Sequence, residues 1–224
     1  MKLQTPPKSA SLGAMFTGIV KGVLRVVDVQ RRPDMIQFSI KVPKAFLDGL
    51  EVGASVAIDG VCLTVTRIHS SSLHVSFDAI QETLSRTTLN ELHIDRKVNV
   101  ERSAKFSDEI GGHIVSGHVF GKAQIHQIAP LENHQKMVFH CPKEWMKYFF
   151  EKGFIAIDGA SLTLVDVDPT GFFSVHLIPE TLKATTLGTK QEKDWVNIEL
   201  DSRTQSIVET IERILKSTSL IRPN

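Results

Sequence analysis

Val56–Val65 reads VAIDGVCLTV, and Ile155–Leu164 reads IAIDGASLTL, one pattern written twice at an offset of 99 residues. In each copy an apolar run meets Asp-Gly and then resumes, the signature of two strands joined by a two-residue hairpin turn. Working outward, Glu82–Leu89 (ETLSRTTL) returns as Glu180–Leu187 (ETLKATTL), and Val98–Glu101 (VNVE) returns as Val196–Glu199 (VNIE), both at an offset of 98. A looser pair sets Gly18-Ile19-Val20-Lys21-Gly22 beside Gly117-His118-Val119-Phe120-Gly121. Matches that keep one order and nearly one spacing mean duplication. The period exceeds the roughly 20–50 residues of solenoid repeats and predicts two tandem domains of one fold. They span 15–107 and 108–201, linked around Ser107–Gly112, with a flexible extension at 1–14 and a helical tail at 202–224.

Within each half, short runs rich in Val, Ile, Thr and Phe alternate with turn signals, as at Leu73–Phe77, Phe139-His140 and Phe172–Val175. This predicts an all-β chain, and closure into small barrels would remove the exposed strand edges. Short helices are expected at Pro43–Gly49 and Pro142–Lys152, each opened by proline. Thr204–Lys216 carries Ile207, Val208, Ile211, Ile214 and Leu215 at helical spacing, opposite Glu209, Glu212, Arg213 and Lys216. No counterpart follows the first half. The apolar stripe needs either its own barrel or copies of itself to cover it.

Of 224 residues, 42% are hydrophobic and 23% charged, with 26 basic against 25 acidic residues and a net charge of +1. This balance supplies no electrostatic pull toward nucleic acid or an acidic membrane. No run reaches the roughly 18 apolar residues of a membrane span, and Met1–Ala14 lacks the apolar stretch of a secretory signal. Two cysteines, Cys62 and Cys141, make no disulfide framework and fit a reducing, cytoplasmic setting.

Several polar residues invite two readings. Cys62 with Thr64, and Ser161 with Thr163, lie two apart on strands and so project to one face. They are either ordinary strand residues or paired groups for the amide-like edge of a heterocycle. No basic residue adjoins Cys62 in sequence to make its thiol reactive. His113 and His118 stand five apart in GGHIVSGHV, which is not the helical spacing of a zinc pair, and no metal is expected. Each is a structural histidine beside a tight turn or a ligand contact. Asp78 and His176 end strands before polar turns, where Glu82 and Glu180 either cap the next segment or hold hydroxyls through charge-assisted hydrogen bonds. Lys152 reads as a solvated helix end. The chain has no phosphate-cradling loop, nucleophile elbow or dinucleotide fingerprint.

The motifs MFTGIV (Met15–Val20), CLTV (Cys62–Val65), GGHIVSGHV (Gly111–Val119), SLT (Ser161–Thr163), LIPETL (Leu177–Leu182) and TTLG (Thr185–Gly188) together resemble the riboflavin synthase family, over nearly all of Met15–Lys216. The resemblance implies that each half is a six-stranded Greek-key β-barrel binding one 6,7-dimethyl-8-ribityllumazine. It implies a homotrimer joined by the C-terminal helix, with active sites where the N-terminal barrel of one subunit meets the C-terminal barrel of its neighbour. It implies transfer of a four-carbon unit between two lumazines, giving riboflavin and 5-amino-6-ribitylaminouracil, with no cofactor, and lumazine synthase as an associated protein. Carried over by motif, substrate contacts fall on Gly18, Ile19 and Val20; Cys62, Leu63 and Thr64; Asp78, Ala79, Ile80, Gln81, Glu82 and Thr83; Gly117, His118 and Val119; Lys152; Ser161, Leu162 and Thr163; and His176, Leu177, Ile178, Pro179, Glu180 and Thr181. The catalytic candidates are Cys62, His118, Ser161 and Thr163, with Ser55 on the N-terminal side and Asp201 on the other, and Phe16 near the bound rings. Asp59 departs from the family, where many members carry asparagine, as does Phe120-Gly121, where they carry Asp-Gly. The alternative is a non-catalytic lumazine- or flavin-binding antenna protein on the same barrels; a third is a barrel module without a ligand. Retention of Ser161, Thr163, His176 and the terminal helix favours the enzyme.

Overall fold

Burial alternates along Val61–His69 with Val61, Leu63 and Val65 inward and Thr64 and Thr66 outward, as a strand with one face on a core must. The computed structural model describes residues 15–219; the extension at 1–14 and positions 220–224 of the tail lie outside the described residues. The first half contains β1 (Gly22–Arg31), β2 (Met35–Lys41), β3 (Ser55–Ile58), β4 (Val61–His69), β5 (His74–Ile80) and β6 (Lys97–Arg102). These close into a barrel in the order β1-β2-β5-β4-β3-β6, antiparallel throughout. The second half repeats it with β7 (Gly121–Pro130), β8 (Gln135–His140), β9 (Phe154–Ile157), β10 (Ala160–Asp168), β11 (Phe172–Leu177) and β12 (Trp195–Leu200), closed in the equivalent order. The Greek-key crossing is the β2–β5 pair in one and β8–β11 in the other.

The Asp-Gly pairs perform the turns expected of them. Asp59 and Gly60 both have positive φ (46° and 78°), as do Asp158 and Gly159 (45° and 81°), the hand that matches strand twist in a two-residue hairpin. Even the bulges recur, with register shifts after Val26 and Val65 and again after Ile125 and Leu164. Each barrel is filled by its own side chains, Phe38 and Phe77 among them in the first and Phe139 and Phe173 in the second.

Two local expectations change. The segments after Pro43 and Pro142 form short 3-10 turns, Lys44–Leu47 and Lys143–Tyr148. The supposed polar turns after β5 and β11 are six-residue α-helices, α1 (Gln81–Arg86) and α2 (Pro179–Ala184). The last helix, α3 (Ser202–Ser219), starts at Asp201, whose Oδ1 accepts the Thr204 N–H at 2.8 Å.

The halves meet along a pseudo-twofold seam. Phe16 and Val115, equivalent residues of the two leader segments, pair antiparallel with each other (N···O 2.8 and 3.0 Å). Asn99 on β6 donates from Nδ2 to the Asp158 carbonyl, and Asn197 on β12 donates to the Asp59 carbonyl, both at 2.8 Å. Each carboxamide oxygen then accepts a backbone N–H, Thr186 for Asn99 and Thr88 for Asn197. Asp59 and Asp158 accept the N–H groups of Asn99 and Asn197 within their own barrels. All four side chains are buried, so a polar group orphaned here would carry its full desolvation cost.

Burial and the neighbouring Asp158 push the Asp59 carboxyl from 3.8 to about 7, against the opposing pull of Arg96, Lys190 and the Asn99 N–H. The folded state therefore holds a proton that the unfolded chain releases near pH 4. That contribution is full below the unfolded pKa and is lost as pH rises through about 7. Asp59→Asn keeps the acceptor and removes the charge. It should raise Tm at pH 8 by a few degrees (on the order of 1 kcal/mol) and less at pH 5, as calorimetry at both pH values will show. A Cβ on Gly60 would lie 2.6 Å from the Gly159 nitrogen, at positive φ. Gly60→Ala should therefore cost roughly 2 kcal/mol or more in denaturant unfolding.

Candidate functional site: two matched cavities

The first cavity, about 310 Å³, is lined by Val61, Cys62, Glu82, Thr83, Arg86, Thr87, Gly117, His118 and Val119. The second, about 320 Å³, is lined by Gly18, Ile19, Val20, Ala160, Ser161, Ile178, Glu180, Thr181, Ala184 and Thr185. These sets correspond nearly residue for residue under the repeat. In each, the hairpin strand and the short helix come from one barrel and the remaining wall from the leader of the other half. The walls are held at backbone contact: Cys62 N–H donates to the Gly117 carbonyl at 2.9 Å and Ser161 N–H to the Gly18 carbonyl at 2.8 Å. A Cβ on Gly117 would lie 2.5 Å from Cys62 Cβ, and one on Gly18 would lie 2.6 Å from Ser161 Cβ, both at positive φ. Glycine is required at both positions.

The matched sets differ in chemistry at three places: Cys62 against Ser161, Arg86 against Ala184, and His118 against Ile19. The first cavity is the more polar. Burial raises the Cys62 thiol above its usual range, opposed by a hydrogen bond with Ser55 and reinforced by Glu199, so the protonated thiol dominates near neutrality. Ser55 faces Thr64 across the β3–β4 ladder, which gathers Ser55, Cys62 and Thr64 on one hairpin.

In the second cavity Ser161 Oγ lies 2.6 Å from His113 Nδ1. The His113 ring stacks on Phe154, with centroids 5.2 Å apart. Burial lowers the His113 pKa while Asp201 opposes the shift, leaving the ring neutral at pH 7 and able to exchange a hydrogen bond with the serine. His113, Phe154 and Asp201 also line an adjoining cavity of about 470 Å³ at the start of α3. Ser161, His113 and Asp201 thus form one polar run between two openings. The two histidines of GGHIVSGHV serve different cavities.

Other expected residues lie elsewhere. Leu63, Ala79 and Leu177 are buried in the barrel cores. Asp78 accepts a hydrogen bond from Gln37, and His176 stacks on His134 with centroids 4.8 Å apart. Thr64, Ile80, Gln81, Lys152, Leu162, Thr163 and Pro179 line neither matched cavity. Phe16 is buried in the seam with Ala57, Val115 and Ala156, and Cys62 packs against this cluster. Glu82 and Glu180 cap neither helix; both line cavities, and Glu82 pairs with Arg86 at 2.6 Å. Sequence reasoning missed Arg86 and the His113–Ser161 bond. The difference between ETLSRTTL and ETLKATTL carried the signal for Arg86, whereas a pairing across 48 residues leaves no local trace.

The sequence profile of the lumazine binding domain family matches this chain twice, at residues 17–103 and 116–201. Riboflavin synthase of Escherichia coli (strain K12) is 51% identical over 202 residues, covering 90% of this chain and 93% of that protein. Riboflavin synthase of Chlamydia pneumoniae is 48% identical over 204 residues, covering 91% and 98%. The crystal structure of LumP complexed with 6,7-dimethyl-8-(1'-D-ribityl) lumazine superposes with a TM-score of 0.74 at 27% identity, covering 84% of this chain and 99% of that one. With both halves matched and half the residues shared with a bacterial enzyme, the chain belongs to the riboflavin synthase family, built on paired lumazine-binding domains.

Proposed function

We propose that this chain is a transferase that binds one 6,7-dimethyl-8-ribityllumazine in each matched cavity and passes a four-carbon unit from one to the other. The products are riboflavin and 5-amino-6-ribitylaminouracil. The atoms of two identical substrates account for both products, so no external oxidant or reductant is consumed. The observation that carries the reading is the pairing of the cavities: nearly the same walls, with side chains of different polarity at three positions. Such a pair suits a reaction in which two copies of one molecule take unlike roles.

One lumazine loses a proton from its 7-methyl group, and the other accepts a nucleophile at C7. The methyl carbanion attacks that partner, and eliminations release the products. Holding the two rings in register supplies much of the acceleration. Ser161, backed by neutral His113, is the best-placed proton carrier of the second cavity. In the first, the protonated Cys62 thiol acts as a hydrogen-bond donor, with His118 and Arg86 beside it to stabilise negative charge. Glu82 and Glu180 are placed to accept from ribityl hydroxyls. The LumP likeness, at 27% identity, supports ligand binding in this fold; the 51% identity to an enzyme and the Ser161–His113 pair favour turnover over an antenna role.

The same reading makes the active assembly a cytoplasmic homotrimer, with lumazine synthase as a candidate associate. Helix α3 docks only one side on its own barrel, through Val208 and the Lys147–Glu212 pair at 2.7 Å. Ile207, Ile211 and Leu215 stay exposed at 60%, 51% and 63%, a stripe at four-residue spacing suited to like helices. Among the described residues no helix is long and apolar enough to cross a membrane.

Incubated with the lumazine and no added cofactor, the chain should accumulate riboflavin absorbance; saturable binding without product would select the antenna role. Ser161→Ala should slow single turnover by about a hundredfold, and an unchanged rate would remove Ser161 from the mechanism. Because the His113 pKa is lowered from 6.5, the rate should hold from pH 8 to 6.5 and fall only below that, as the ring protonates. Ile211→Glu should convert trimer to monomer in sedimentation and abolish turnover.

A further inference from the structure

Two buried carboxylates carry no proton in the chemistry above, and each stands two strands from the polar cavity residue of its own barrel, Glu101 in register with Ala57 and Cys62, and Glu199 with Ala156 and Ser161. Glu101 on β6 is 4% exposed and Glu199 on β12 is 5% exposed. Glu199 Oε1 accepts the Ser116 N–H and the Ser116 hydroxyl, both at 2.7 Å, and Oε2 accepts the Gly117 N–H at 2.9 Å. Glu101 does the same for the other leader, accepting Thr17 N–H and Oγ1–H at 2.7 Å and Gly18 N–H at 3.1 Å. The hydroxyls pass the constraint on, Ser116 Oγ to the His118 N–H and Thr17 Oγ1 to the Ile19 N–H, both at 3.3 Å.

The segments so held are the walls of the cavities, but of the opposite barrel. Gly117 bonds to Cys62, and Gly18 bonds to Ser161. A carboxylate accepting three donors is a strong, orienting clasp, and removing its charge leaves buried N–H groups poorly paired. We infer that Glu101 and Glu199 are crossed positioning residues: Glu199 of the second barrel sets the binding cavity of the first, and Glu101 of the first barrel sets that of the second. Each cavity is therefore tuned from the far side of the seam, and a substitution in one barrel disables the substrate held by the other.

The inference rests on the reading that each cavity takes one lumazine. Its test uses the full chain and a 7-oxo analogue of the lumazine, which lacks the acidic methyl and is not turned over. Cys62 reports on the first cavity, because bound analogue should shield it from alkylation. Cys141 stays silent, its thiol buried and pushed up to about 12. Glu199→Gln should raise the analogue concentration that shields Cys62 by about tenfold or more, while Glu101→Gln leaves that concentration unchanged and halves the analogue bound per chain near saturation of the first cavity. Should Glu199→Gln fail to fold, Ser116→Ala removes one bond of the same clasp and should shift shielding in the same direction by a smaller factor. Loss of shielding in Glu101→Gln with none in Glu199→Gln, or an equal effect of both, would overturn the crossed assignment. No shielding of Cys62 in the unsubstituted chain would instead overturn the placement of the lumazine, and the crossed assignment with it.

Discussion

Two carboxamides that reach across a seam hold this molecule in its shape. Asn99 and Asn197 each give a hydrogen bond to one loop of the opposite barrel and take one from another. The groups they satisfy are buried backbone carbonyls and N–H donors, which water cannot reach in the folded chain. Separating the barrels would break all four bonds at once. The Gly60–Gly159 contact follows from this, since the hairpins must approach closer than a side chain permits. So does the antiparallel pairing of Phe16 with Val115. Interfaces between independent domains within a chain are ordinarily looser; here each half completes the other.

That constraint explains why the cavities come as a pair. Once the leaders cross the seam, a pocket on either barrel borrows its wall from the other half, and the duplication delivers two pockets of one shape. Divergence then needs few changes. Replacing serine by cysteine, alanine by arginine and isoleucine by histidine gives the first cavity a more polar character than the second while the strands, turns and bulges stay in register. The His113–Ser161 pair has no equivalent in the first cavity: its counterpart position falls at Ala14, outside the described residues. A common frame with unlike linings is the physical form of a reaction that asks identical molecules to behave differently.

Much of this was legible in the amino-acid order because the decisive signals are local. Asp59-Gly60 and Asp158-Gly159 force tight hairpins wherever they fall between apolar runs, and the recurring offset exposes the duplication. Alternation along Val61–Val65 fixes which residues face the core, though it cannot say what covers the outer face. The contacts that build the cavities span 48 to 143 positions, as in His113 with Ser161 or Gly18 with Ser161, and no periodicity records them. Short helices such as Pro179–Ala184 escaped because six residues hold too few turns for an amphipathic pattern. Arg86 escaped because repeats are read for what they share, while its meaning lies in what differs.

The most direct measurement of the central claim is a crystal structure of the full chain with the 7-oxo lumazine analogue. The account predicts two analogues per chain, one against Cys62 with Gly117–Val119 as its wall and one against Ser161 with Gly18–Val20 as its wall. An analogue held by the residues of a single half, or seated in the polar cavity of about 410 Å³ beside Asp59, Arg96 and Lys190, would contradict it.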